Sequence, residues 1–232
     1  MPAALGAARW RVLGLTDHHG DATWSGLRAH PRGSAGGGIL SEDEHKPRKG
    51  VAGISEVAVR PASIADCAAI AGVHARARNA YYRGLIPDQN LAEYARTLPD
   101  RYLEILNLPR MTVRCAERGG TVVGVTVTGV ENEPAAGQAA IMRLYQIQVE
   151  PNCWRSGIGS RLMAACVRDF QTAQITHARL DVWENNTRAR AFYARHGWRP
   201  DGRSRPGPDG SRYLGLMLPV PPAALREPTE SG

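Results

Sequence analysis

The sequence predicts a mixed α/β (α+β) domain behind a long non-periodic N-terminal arm. Three observations predict it. Apolar and polar residues alternate in short runs from Met111 onward, apolar residues recur at helical spacing in the segments between, and the pattern changes abruptly near Val57. A chain of 232 residues with 43% hydrophobic residues suits one packed domain plus extra sequence.

Residues 1–55 carry the Gly-rich stretch Gly33 to Gly38 and a charged cluster from Glu42 to Lys49, without sustained periodicity. They read as a disordered arm in which His18, His19 and His45 are solvated. The domain is expected over 56–220, with a tail over 221–232. Val57 to Pro61 reads as a strand, and Ser63 with Asp66 three residues on opens a helix. That helix carries Ile64, Cys67, Ile70, Ala71 and His74 at helical spacing and runs toward Tyr82, where Gly84 and Pro87 break it. A second helix is expected over Asp88 to Leu98 and a shorter one over Tyr102 to Leu106.

Met111 to Glu117 and Thr121 to Val130, joined by Arg118-Gly119-Gly120, read as a hairpin, and Ala139 to Val149 as a third antiparallel strand. From Gly157 to Gln171 the residues Ile158, Leu162, Met163, Cys166 and Phe170 share a helical face. A strand over Ala178 to Trp183 follows, then a helix from Thr187 to His196 that stops at Gly197. Two last strands, near Trp198 to Arg203 and Ser211 to Leu218, flank a turn-rich loop.

Composition excludes several functions. No apolar run approaches the ~20 residues that span a bilayer, and no basic segment leads into an apolar stretch, so a cytoplasmic protein without a membrane partner is expected. Cys67, Cys115, Cys153 and Cys166 stand singly, unlike a zinc or redox motif, so no metal is expected. Cys115 and Cys166 lie among apolar neighbours and read as core thiols. The formal charge of +7 raises nucleic acid as a partner, but the only lysines are Lys46 and Lys49 and the arginines are scattered, so none is expected. The apolar Pro219 to Leu225 either covers a partner, as in a homodimer, or trails from the last strand.

The chemistry concentrates between Ile147 and Leu162. A strand ends, Gly157 and Gly159 form a turn, and a helix opens, leaving backbone N–H groups and the positive end of the helix dipole for an anion. Glycines in a tight turn explain those two positions equally well. A dinucleotide fingerprint would need a third glycine, and a phosphate loop a Gly-Lys-Ser/Thr, and neither is present.

Two linked motifs resemble the Gcn5-related N-acetyltransferase (GNAT) family over about Val57 to Val220. One is the strand, Pro151 and Gly157-Ile158-Gly159. The other is Asn186 to Tyr193 followed by His196-Gly197-Trp198. The resemblance implies a mostly antiparallel central sheet with splayed middle strands and flanking helices, and acetyl-CoA as co-substrate. Ile147, Gln148 and Val149 would meet the pantetheine arm like a neighbouring strand. Trp154, Arg155, Ser156, Gly157, Ile158, Gly159 and Ser160 would hold the pyrophosphate, and Asn186 would reach the cofactor.

Tyr193 resembles the family's general acid, a phenol that returns a proton to the departing thiolate; the other reading makes Phe192 and Tyr193 a core aromatic pair. Trp154 stands where the family most often has Gln or Arg. Arg143 stands where related sequences often have a glutamate, so no base is assigned; Glu150, Glu184, a carboxylate outside the motif or a water chain remain candidates, and Tyr145 is placed to line the site. Arg78, Tyr82 and Arg83 resemble an acceptor-pocket border suited to an anionic group. Alternatively the arginines form a solvated face and His74 packs near the surface.

The expected activity is direct acetyl transfer to a primary amine of a small molecule or peptide, because nothing marks Cys153 as an activated thiolate. The alternative is a non-catalytic acyl-CoA-binding regulator.

Overall fold

The computed structural model describes residues 56–131, 140–207 and 210–222. The expected arm over 1–55, the start of the third strand at Ala139 and nearly all of the tail lie outside these residues.

The chain runs β1 (Val57–Pro61), α1 (Cys67–Tyr82), α2 (Asp88–Leu106), β2 (Met111–Arg118), β3 (Thr121–Val130), β4 (Ile141–Val149), α3 (Ile158–Thr172), β5 (His177–Trp183), α4 (Thr187–Arg195), β6 (Arg199–Pro206) and β7 (Arg212–Pro219). A capping box between Ser63 and Asp66 starts the 3-10 turn Ile64–Asp66 that leads into α1. The seven strands form one sheet in the order β1-β2-β3-β4-β5-β7-β6. Every neighbouring pair is antiparallel except β4 with β5.

One expectation is corrected here. Asp88 to Leu106 is a single helix with Pro99 inside it, not two helices. Leu91, Leu98, Tyr102 and Ile105 are buried along one face of it, and this continuous apolar stripe outweighs the backbone bond that proline cannot donate.

Two cores lie on opposite faces of the sheet. Ile70 and Ala71 of α1 with Leu98, Tyr102 and Ile105 of α2 pack on Val113, Cys115, Val125 and Val127. On the other face Met163, Cys166 and Phe170 of α3 pack with Met142, Leu144, Leu180, Val182 and Trp198, together with Tyr193 of α4.

Candidate active site

The site originates where β4 and β5 part. Their parallel ladder joins only Ile141 to Arg143 with His177 to Arg179, three residues of a nine-residue and a seven-residue strand. Beyond it β4 keeps its antiparallel bonds to β3 and β5 keeps its bonds to β7, so the two diverge. A register shift opposite Val127 and Thr128 leaves Tyr145 as an extra residue on β4, a bulge that bends the strand. Tyr145 packs toward the α1–α2 core, whereas Ile147, two residues on, packs toward α3 and α4.

A cleft of about 640 Å³ fills the gap. On the α3–α4 side Gly157, Gly159, Ser160, Asn186, Phe192 and Tyr193 line it; on the α1 side Tyr81, Tyr82, Tyr145, Asp181 and Trp183 do. Gly157 adopts a left-handed φ of 84° as the N-cap of α3, a conformation that only glycine takes without strain. No side chain caps this helix, and its first backbone bond is Arg161 N–H to Gly157 C=O at 3.1 Å, so the N–H groups before it are open to a ligand. Gly159 serves close approach: a Cβ there would stand 3.2 Å from the Phe192 ring. His196 fixes the same corner, with Nδ1 at 2.8 Å from the Phe192 carbonyl and Nε2 at 3.1 Å from Ser160 Oγ.

Of the residues expected to meet the cofactor, Ile147, Gln148, Val149, Trp154, Arg155, Gly157, Gly159, Ser160 and Asn186 line this one cleft. Ser156 and Ile158 do not: Ser156 Oγ donates to the Cys153 carbonyl at 2.6 Å, and the Ile158 side chain is buried against Leu162. The Val149 carbonyl already accepts from Trp154 Nε1 at 2.8 Å. Asn186 caps α4, its Oδ1 accepting from Ala189 N–H at 3.0 Å, which gives this residue a structural duty that the motif did not disclose. Tyr193 lines the cleft while packing edge-on to Phe192 and Trp198, so the two readings of this residue are compatible.

On the acceptor side, Tyr82 and Tyr145 line the cleft, but Arg78 and Arg83 do not. Arg78 is buried with its guanidinium over the Tyr82 and Tyr94 rings, at 4.6 and 4.2 Å, so it belongs to no solvated face. Arg83 is exposed. His74 is also buried, not near the surface, with Nδ1 at 3.0 Å from the Tyr102 hydroxyl. α2 covers the middle of α1, and the hydrogen bond to the Tyr102 phenol offsets the cost of desolvating the ring.

Asp181 is the carboxylate on this cleft that sequence reading missed. Arg143 Nη2 lies 2.5 Å and Arg205 Nε 3.0 Å from its Oδ2, and Arg143 also holds Glu131 at 2.8 Å. Burial alone would raise the Asp181 pKa, but the two guanidiniums more than offset it and hold the carboxyl below its ordinary range. Glu150 pairs with Arg76 at 2.8 Å, and Glu184 Oε1 accepts the Arg212 N–H at 2.6 Å; neither lines the cleft. Burial pushes the Tyr145 phenol up to about 12. Cys153 does line the cleft, with Arg118 Nη2 3.0 Å from its sulfur, and all four cysteines are free thiols.

A short parallel ladder opening onto a helix start without a side-chain cap leaves a cleft between two strands. The family follows from comparison. The model of the acetyltransferase (GNAT) family matches residues 77–198, just over half of the chain. The chain belongs to this family, and it is an N-acetyltransferase on that ground.

No curated protein matches by sequence. Among solved structures, the PaiA N-acetyltransferase of Thermoplasma acidophilum, in complex with coenzyme A, aligns at a TM-score of 0.59 and 18% identity, over 71% of this chain and 99% of that one. The ribosomal-protein-S18-alanine N-acetyltransferase of Escherichia coli aligns at 0.53 and 18%, over 74% and 99%. YncA, a putative acetyltransferase of Salmonella typhimurium with acetyl-CoA, aligns at 0.51 and 16%, over 74% and 98%. At these identities the likeness bears on fold.

Proposed function

We propose that this protein moves an acetyl group from acetyl-CoA directly to a primary amine of a small molecule or peptide. The observation that carries the reading is the cleft itself, which runs through the sheet from the open N-terminus of α3 to a chamber walled by Tyr81, Tyr82, Tyr145 and Trp183. Two of the similar structures hold coenzyme A or acetyl-CoA, which supports the donor. The E. coli neighbour, named for an alanine of ribosomal protein S18, keeps polypeptide amines among the acceptors. The residues fit such a donor: nothing lies within 4 Å of a Cβ built on Gly157, so the backbone at the turn is bare toward the cleft.

In this reading the N–H groups that open α3 receive the pyrophosphate, and the unpaired half of β4 hydrogen-bonds the extended arm. A β4 amide aimed at the acetyl carbonyl stabilises the oxyanion as the amine nitrogen bonds to carbon. The carbon–sulfur bond then breaks, and the Tyr193 hydroxyl returns a proton to the sulfur. The amine proton leaves to water, because Asp181, the one carboxylate on the cleft among the described residues, is held ionised by two arginines and is a weak base.

A thiol-release assay over a panel of amines and peptides tests this. Amine-dependent release is expected, with kcat lowered on the order of a hundredfold by Tyr193→Phe while the donor still binds. Donor binding without release from any acceptor in the panel would sink the catalytic reading.

A further inference from the structure

The nucleotide end of the cleft carries a cation, Arg188, to which the motifs assigned no role. The guanidinium of Arg188, in the first turn of α4, lies over the Trp154 indole, its Cζ 3.2 Å from the ring centroid. Arg155, near enough for its charge to act on Arg188, holds a left-handed backbone with φ 65°, and Arg195 lines the same cleft. Among the described residues none of these three arginines has a carboxylate within ion-pair distance, whereas Arg60, Arg76, Arg114 and Arg143 all do. Three unneutralised cations on one cleft, two of them repelling one another, are an arrangement that bound anion charge relieves.

Partial burial and the neighbouring charge of Arg155 both lower the Arg188 pKa, in keeping with that repulsion. Trp154 brings no charge and no side-chain donor into the cleft, since its one N–H is spent on the Val149 carbonyl. Its ring instead seats the cation of a different element above the glycine turn.

We propose that Arg188, seated on Trp154, is a specificity-determining latch for the nucleotide half of the donor, so that the enzyme selects free acyl-CoA over acyl groups carried on phosphopantetheine alone. The inference rests on the coenzyme reading given above. On Trp154 the guanidinium keeps its planar fork and surrenders little freedom before it meets a phosphate, and the edge it presents suits two phosphate oxygens at once. Acyl phosphopantetheine keeps the phosphate nearest the α3 N-terminus but lacks the remaining phosphates that this arginine group would neutralise. A carrier-protein-bound acyl group lacks them too.

The test is calorimetric titration of the full chain with acetyl-CoA and with acetyl-4′-phosphopantetheine, using wild type, Arg188→Gln and Arg188→Lys. Wild type is expected to favour acetyl-CoA by at least about tenfold, Arg188→Gln to reduce that ratio by about tenfold, and Arg188→Lys to restore part of it. Because phosphate bound at the guanidinium edge changes the field that this cation exerts on the Trp154 ring, its emission should change on adding acetyl-CoA in wild type and not in Trp154→Phe. If Arg188→Gln weakens both donors equally, or leaves the ratio intact, the latch is wrong while the coenzyme reading stands. Failure of wild type to bind either donor would overturn the coenzyme reading itself.

Discussion

Asp181→Asn removes one charge from the cluster that bridges β4 and β5 where their backbone ladder ends. The Arg143 and Asp181 side chains are only 10% and 12% exposed and stand 2.5 Å apart. Removing one partner of a buried ion pair costs about 3–5 kcal/mol, because the other charge is left unmatched. Arg143 keeps Glu131 at 2.8 Å and asparagine keeps a hydrogen-bonding oxygen, so the loss is expected at about 2–3 kcal/mol. At about 2–4 °C per kcal/mol this lowers Tm by roughly 5–10 °C.

The sign with pH follows from the depressed carboxyl of Asp181. A group held lower in the folded state stabilises fully above its unfolded value, near about 3.9, and loses that contribution as pH falls through the folded value. Urea unfolding of wild type and variant at pH 7 and at stepwise lower pH should therefore show a gap that closes below about pH 4. A difference under about 0.5 kcal/mol at pH 7, the usual range of a surface substitution, or a gap that persists unchanged at pH 2 would refute the reasoning.

Four further outcomes are expected. The pH profile of kcat/KM should rise toward the pKa of the acceptor amine without a carboxylate inflection, because Asp181 stays ionised; an acidic limb between pH 4 and 6 that Asp181→Asn abolishes would contradict this. Pro99→Ala should raise stability by about 1–3 kcal/mol by returning a backbone donor to the middle of an exposed turn of α2, as read by thermal unfolding. Cys115 and Cys166 should resist thiol reagents until the protein unfolds, since burial pushes both thiols up, Cys166 to about 12; labelling at native rates would show that the core opens. Gly124→Ala should destabilise by about 1–3 kcal/mol in urea, because its Cβ would meet Leu162 at 2.8 Å and the Gln148 carbonyl at 3.2 Å.

The parts of the fold legible in sequence were those with local signals. The Gly119-Gly120 turn between alternating runs located the β2–β3 hairpin, and the apolar spacing from Ile158 to Phe170 located α3. The glycine turn and the Asn186 to Tyr193 motif converge on one cleft, although 26 positions separate Ser160 from Asn186.

What escaped depends on partners distant in the chain. Asp181 acquires its surroundings from Arg143 and Arg205, 38 and 24 residues away, so no local pattern marks it. The burial of His74 and Arg78 requires α2 across α1, and α1 alone resembles a half-polar surface helix. The segment from Asp88 to Leu106 reads as two helices in sequence because the buried stripe that carries α2 through Pro99 is visible only once Leu98 and Tyr102 have a core to enter. The bulge at Tyr145 has no sequence signature because it is a mismatch of register between two strands.

The three-residue ladder between β4 and β5 leaves the sheet as two plates, one of four strands and one of three, sharing a short seam. A donor lodged in that seam acts as mortar as well as reagent, since any molecule bound only by the folded form adds RT ln(1 + [L]/Kd) to its stability. The half-life of the protein in a cell would then track the supply of its own co-substrate.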